Sequence, residues 1–173
     1  MREEPGQSIL VGMSELRTIR VGRRSVPVRE LEELEAVRGA SSHQPLPKGC
    51  RISSAQAEAL ERAGWSLVSR AEAKDAVEGE SAKVLLLDDE DVALSKGDLV
   101  VQFVESTERS KIDRLLADNG LKVLQPLPVE PATFRVGPAG GRGGDAIDAA
   151  TRLARVPEVV FAEPELIEAI GPR

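Results

Sequence analysis

The chain has 173 residues, of which 41% are apolar, 30% charged and only 2% aromatic, with three Phe, one Trp and no Tyr. So much aliphatic content argues against a disordered chain and must build its core from Leu, Val, Ile and Ala, in one compact domain or two small ones. The net charge of −6 and the shortage of rings argue against nucleic-acid binding, which needs a basic face and stacking aromatics, and favour protein or a cation as partner.

Cys50 is the only cysteine, so no intrachain disulfide and no cysteine-based zinc site can form. The opening Met1-Arg-Glu-Glu-Pro5-Gly6 carries acids and a proline where a signal peptide has a basic and then an apolar stretch. No segment approaches the roughly 18 apolar residues of a membrane span. The expectation is a soluble, cytoplasmic protein without membrane contact.

Residues 1–15 mix Pro, Gly and charge and read as a flexible start. Leu16-Arg-Thr-Ile-Arg-Val21 alternates apolar and polar, Gly22-Arg23 turns, and Ser25-Val-Pro-Val28 returns, which predicts a hairpin. Pro27 predicts that the return is an edge strand. Leu31, Leu34 and Val37 recur at helical spacing, short enough to be a strand end instead. Residues 39–51, with His43 and Cys50, read as a loop or linker. Ser53 or Ser54 caps a helix through Leu60 that Gly64 stops, and Trp65-Ser-Leu-Val68 follows as a strand. Ala71 to Ser81 is charged and reads as exposed. Val84 to Leu87 reads as a buried strand that Asp88-Asp-Glu-Asp91 ends.

Asp98 to Val104 predicts a strand, Ser106 or Thr107 a helix start, and Ile112, Leu115 and Leu116 that helix's apolar stripe, with Gly120 as its stop. Leu121 to Leu124 and Thr133 to Val136 read as strands. A glycine-rich loop, Gly137 to Gly144, leads to Asp145 as cap of a helix burying Ile147, Ala150, Leu153 and Ala154. Pro157 closes that helix and Val159 to Ala162 is a last strand. The order strand, helix, strand, strand, helix, strand predicts an α+β domain, a ferredoxin-like βαββαβ antiparallel sheet with both helices on one face and the other face open. Aligning Gly64 with Gly120 pairs Leu60 with Leu116 and Leu67 with Val123, so residues 16–95 read as a degenerate, partial copy preceding the complete unit at 96–164.

Catalytic chemistry finds little inventory. His43 is the only histidine, and its spacing to Cys50 within one loop encodes no dyad. No Gly-x-Ser-x-Gly elbow is present. Gly141-x-Gly143-x-x-Ala146 has dinucleotide-turn spacing, but Asp145 sits where a pyrophosphate needs positive potential. Asp88, Asp89, Glu90 and Asp91 lack the spacing of a calcium loop and read as a solvated turn. The chain is expected to be no enzyme and to hold no metal or cofactor.

Leu99-Val-Val-Gln-Phe-Val104, Leu115-Leu-Ala-Asp-Asn-Gly120, Leu121-Lys-Val-Leu-Gln-Pro-Leu127, Phe134-Arg-Val136 and above all Pro157-Glu-Val-Val-Phe-Ala-Glu-Pro164 resemble the propeptide of subtilisin-like serine proteases. The resemblance covers about residues 96–170; residues 16–95 resemble the divergent upstream copy of some bacterial members. It implies an inhibitor and folding chaperone that packs its open sheet face on the protease, one to one, and lays a C-terminal tail, residues 165–173, product-like in the cleft. On this expectation Glu163 and Glu165 meet helix N-termini of the enzyme, and Leu166, Ile167, Glu168, Ala169, Ile170, Gly171, Pro172 and Arg173 form the tail. Arg173 then lies beside the catalytic serine and Ile170 at an apolar pocket. Two alternatives stand beside it: a ferredoxin-like regulatory module binding a small ligand through Gly140 to Gly144, and the pro-segment of a longer precursor.

Overall fold

In a computed structural model, which describes residues 15–39, 46, 50–73, 80–140 and 145–169, the hairpin forms where the alternation predicts it. Strand β1 (Arg17–Val21) returns through Gly22-Arg23 into β2 (Arg24–Arg38), with Gly22 at φ +61° making the two-residue turn. β2 is not an edge strand, however. It pairs with β1 along one side and with β4 (Ser81–Leu87) along the other. Proline is tolerated because the β4 ladder begins only at Val28, leaving the Pro27 carbonyl to accept from the Asp88 N–H at 2.8 Å.

Leu31, Leu34 and Val37 lie on β2, not on a helix. A register shift between Glu30 and Glu35 inserts extra residues opposite β4, and this bulge converts strand alternation into a spacing of three. Helix α1 (Ser54–Arg62) follows, capped by a reciprocal pair: the Ser53 hydroxyl accepts from the Gln56 N–H, and the Gln56 side chain accepts from the Ser53 N–H. Strand β3 (Trp65–Ser69) pairs with the far end of β2, and a short α2 (Arg70–Ala73) leads towards β4.

Strand β5 (Asp91–Phe103) is almost twice as long as its sequence predicts and crosses the boundary drawn at 95/96. Helix α3 (Arg109–Asp118), β6 (Leu121–Pro126), β7 (Thr133–Pro138), α4 (Ala146–Leu153) and β8 (Val159–Glu168) follow. α3 starts after Glu108, not at the expected Ser106 or Thr107, and no side chain caps it. Ala154, expected to be buried, lies just past the end of α4 and is exposed. Among the described residues the protein is an α+β fold with one eight-stranded, antiparallel sheet and four helices. Downstream, pairing gives the order β8-β5-β7-β6; upstream, β1 and β3 pair with successive stretches of one edge of β2, and β4 and then the first part of β5 follow on its other edge. The two helix-Gly-strand segments differ in pairing: β3 bonds to β2, whereas β6 bonds to β7.

Three apolar clusters follow from this layout. Leu99, Val101 and Phe103 point to the face covered by Ile112 and Leu116 of α3 and by Ala149, Ala150 and Leu153 of α4. Each large side chain buried there contributes about 1.5–3 kcal/mol. Leu31, Leu34, Trp65, Val84 and Leu94 pack under Leu60 of α1. Ile19, Val28, Leu85, Leu87 and Ala93 meet Ile147 of α4, so the upstream strands and the downstream helix share a core.

Candidate protein-binding face and the C-terminal strand

Alternation along β5 sends Leu99, Val101 and Phe103 to the helices and leaves Val100 and Gln102 half-buried on the opposite face. On the same side, Arg135 of β7 holds Asp98 at 3.0 Å and Glu165 of β8 at 2.6 Å. Gln102 donates to Glu130 at 2.7 Å. Leu124, 45% exposed, lies over Gly137, where a Cβ would come within 2.8 Å of the leucine side chain. Phe161 is half-buried on β8 and its neighbour Val160 is 56% exposed. This face is therefore a mixed surface: aliphatic and aromatic patches around an ion triad centred on Arg135. Phe103 and Phe134, by contrast, meet inside the core with ring centroids 6.3 Å apart.

The last strand does not stop at Ala162. β8 continues to Glu168, pairing Leu166 with Ser95, Ile167 with Leu94 and Glu168 with Ala93, and the Ala169 N–H donates to the Val92 carbonyl at 3.0 Å. Glu163-Pro164 permits this because β8 has β5 as its only strand partner among the described residues, so proline loses no ladder bond on the free side. Leu166 is half-buried against the Ile19 and Ile147 cluster, and Ile167 and Ala169 against the Trp65 cluster. The structure thus divides the ten sequence-predicted site residues. Glu163 accepts weakly from the Gly22 N–H at 3.4 Å, Glu165 is bound to Arg135, Leu166 to Ala169 are built into the fold with Glu168 exposed, and Ile170, Gly171, Pro172 and Arg173 lie outside the described residues.

Sequence reasoning missed a charge cluster at the junction of the two halves. Glu30, its side chain 8% exposed, receives Arg70 at 2.8 Å, Lys83 at 3.2 Å and Arg17 at 3.6 Å. Arg17 also reaches Asp145 at 2.7 Å and Asp148 at 3.1 Å, and Lys83 stands 3.6 Å from Asp145. Burial alone would raise the Asp145 carboxyl, but Arg17, the Asp148 N–H and Lys83 outweigh it and hold the group below its ordinary range. Burial likewise opposes the Arg17 charge, yet its two aspartates raise it above the usual arginine value. The sequence offered little signal for it: Glu30 is one of four glutamates in β2 and stands between Arg29 and Leu31.

Asp145 caps α4 as expected, accepting from the Ile147 and Asp148 N–H groups at 3.0 and 3.1 Å. The helix N-terminus is thereby filled by the protein's own carboxylate, where a phosphate would have to sit. Residues 141–144 of the glycine loop and His43 lie outside the described residues. Cys50 is half-buried against the Trp65 cluster. Asp89 in the acidic turn pairs with Arg29 at 3.2 Å, and no metal-holding group of acids, His or Cys occurs among the described residues. None of the helices among the described residues is long and apolar enough to cross a membrane.

No protein-family model, curated protein or solved structure matches the chain.

Proposed function

We propose that this chain is a non-catalytic protein inhibitor of a subtilisin-like serine protease, and that the strand order β8-β5-β7-β6 with α3 and α4 on one side is a ferredoxin-like propeptide unit. The observation that carries this reading is the face opposite those helices, where Leu124, Val100, Phe161 and Val160 offer partly exposed apolar surface beside a polar rim. Such a patch fits a protein partner better than a small ligand. The resemblance at Pro157 to Pro164 names the partner class, and those residues form the turn before β8 and its first part, which borders this face.

Two expected contacts change under this proposal. Glu165 meets a helix end of the enzyme only by leaving Arg135, and Glu163 only by leaving the Gly22 N–H. Leu166 and Ile167 serve the protein's own clusters, so the cleft-binding segment narrows to Ile170, Gly171, Pro172 and Arg173, which follow β8 in the sequence. Folding assistance to the same protease would use the same face.

The test is inhibition of purified subtilisin by three forms: the full chain, the chain ending at Ala169, and Leu124→Asp. Leu124 is exposed enough for the aspartate to leave the fold intact, which circular dichroism checks. The account expects tight inhibition by the full chain and at least about tenfold loss in each altered form, since a buried charge or a lost anchor at an interface centre costs 2 kcal/mol or more. Equal inhibition by all three would show that neither face nor tail carries binding.

A further inference from the structure

Between β2, β4, β5 and α2 lies a cavity of about 220 Å³ that the inhibitor reading does not use. The sheet register puts Glu35 opposite Lys83 and Lys83 opposite Ser95, so one row across three strands lines its wall. Ser81 lies two residues before Lys83 on the same wall, and Arg70 and Lys96 complete it. The carboxylates that pair with these cations are not part of the lining. Glu30 takes Arg70 and Lys83, Asp145 takes Lys83, and Glu80 takes Lys96 at 2.6 Å.

Those ion pairs restrain the cations at the cavity wall. The Glu30 side chain, almost fully buried, anchors Arg70 and Lys83 together. An ammonium has three N–H donors and a guanidinium five, so each cation keeps donors beyond these contacts. Ser95 is buried; its oxygen accepts from the Gly97 N–H at 3.4 Å and its own O–H remains to be donated. The lining thus holds three cations, two hydroxyls and one carboxylate in a chain whose net charge is −6.

We propose that this cavity binds a small oxyanion of the phosphate or carboxylate type, with Arg70, Lys83 and Lys96 as its charged contacts and Ser81 and Ser95 as hydroxyl donors. The Glu35 carboxylate on the same wall favours a ligand that also carries a donor, so hydrogen phosphate is expected to bind more tightly than a fully ionised carboxylate. The volume suits a small molecule.

Amide NMR titration of the full chain tests this, with sodium phosphate and sodium succinate added separately at ionic strength held constant by chloride. Saturable shifts centred on Ser81, Ser95 and Lys96 are expected. Apparent affinity should fall at least tenfold in Lys96→Gln and in Arg70→Gln, and less in Ser95→Ala, whose spectra also report whether the fold survives. Saturation by phosphate alone identifies a phosphate-type ligand, and by succinate alone a carboxylate. Shifts that chloride reproduces, shifts that all three substitutions leave unchanged, or no saturation up to about 20 mM of either anion, a limit corresponding to roughly −2.3 kcal/mol of binding, would overturn the site.

Discussion

At Asp145 one side chain performs two tasks with its two oxygens. Oδ1 caps α4 and Oδ2 faces Arg17 from β1, so a local helix-start signal also fastens the upstream half to the downstream helix. Asp145→Ala removes both and is expected to lower stability by about 1.5–3 kcal/mol in chemical denaturation, summing a cap and a partly buried ion pair. Asp145→Asn keeps the cap and loses only the charge. Because the folded state holds the Asp145 carboxyl below its ordinary value, the ion pair contributes fully above about pH 4, the unfolded-chain value. It is lost as pH falls through the lowered folded-state value. The stability gap between wild type and Asp145→Asn should therefore close in acid; a gap unchanged from pH 7 to pH 2 would mean that the Arg17 contact contributes nothing. The cap was legible in the sequence because its partners lie two and three residues away. Arg17 was not, because the contact spans most of the chain and no local pattern encodes it.

Among the elements, most of those with local signals read correctly. Ser53 with Gln56 starts α1, Gly64 at φ +87° and Gly120 at φ +70° end helices, and each following strand begins at once. The start of α3 did not read correctly, since neither Ser106 nor Thr107 caps it. The errors in the strands share one cause: irregular pairing that sequence periodicity does not reveal. The bulge in β2 imitates helical spacing, and the strand expected from Asp98 is only the second part of β5, which runs through Gly97 at φ +94° with a register shift. Gly97→Val should cost about 1–2 kcal/mol, as a branched residue is forced into the left-handed region. The same register shift divides β8. Its first part, through Pro164, packs under α4, whereas Leu166 to Ala169 are half-exposed. Native-state hydrogen exchange should find the Ile167 and Ala169 amides opening at lower free energy than Ala162. Equal protection along β8 would show the strand to be one unit.

For the whole molecule, β5 and β8 are the strands that pass through both halves, and Ile147 of α4 completes an upstream cluster. The boundaries at 95/96 and 164/165, legible as changes in sequence pattern, fall within continuous strands. Halves joined in this way should unfold in a single transition seen alike by circular dichroism and by Trp65 fluorescence, since Trp65 reports the upstream cluster only. The α+β composition and the order of elements from β5 to β8 were readable from turn residues and alternation. The partner strands of the upstream half were not, because pairing of β2 with both β3 and β4 depends on contacts distant in sequence. The candidate docking face was legible only as the uncovered side of a sheet, and its centre, Arg135 between Asp98 and Glu165, came from the fold. The central claim is that this face and the residues after β8 close the cleft of a subtilisin-like protease. Titration of active-site-counted subtilisin with the purified full chain tests it most directly: the account predicts residual activity falling linearly to near zero at one equivalent, and undiminished activity, or slow cleavage of the chain as a substrate, would contradict it.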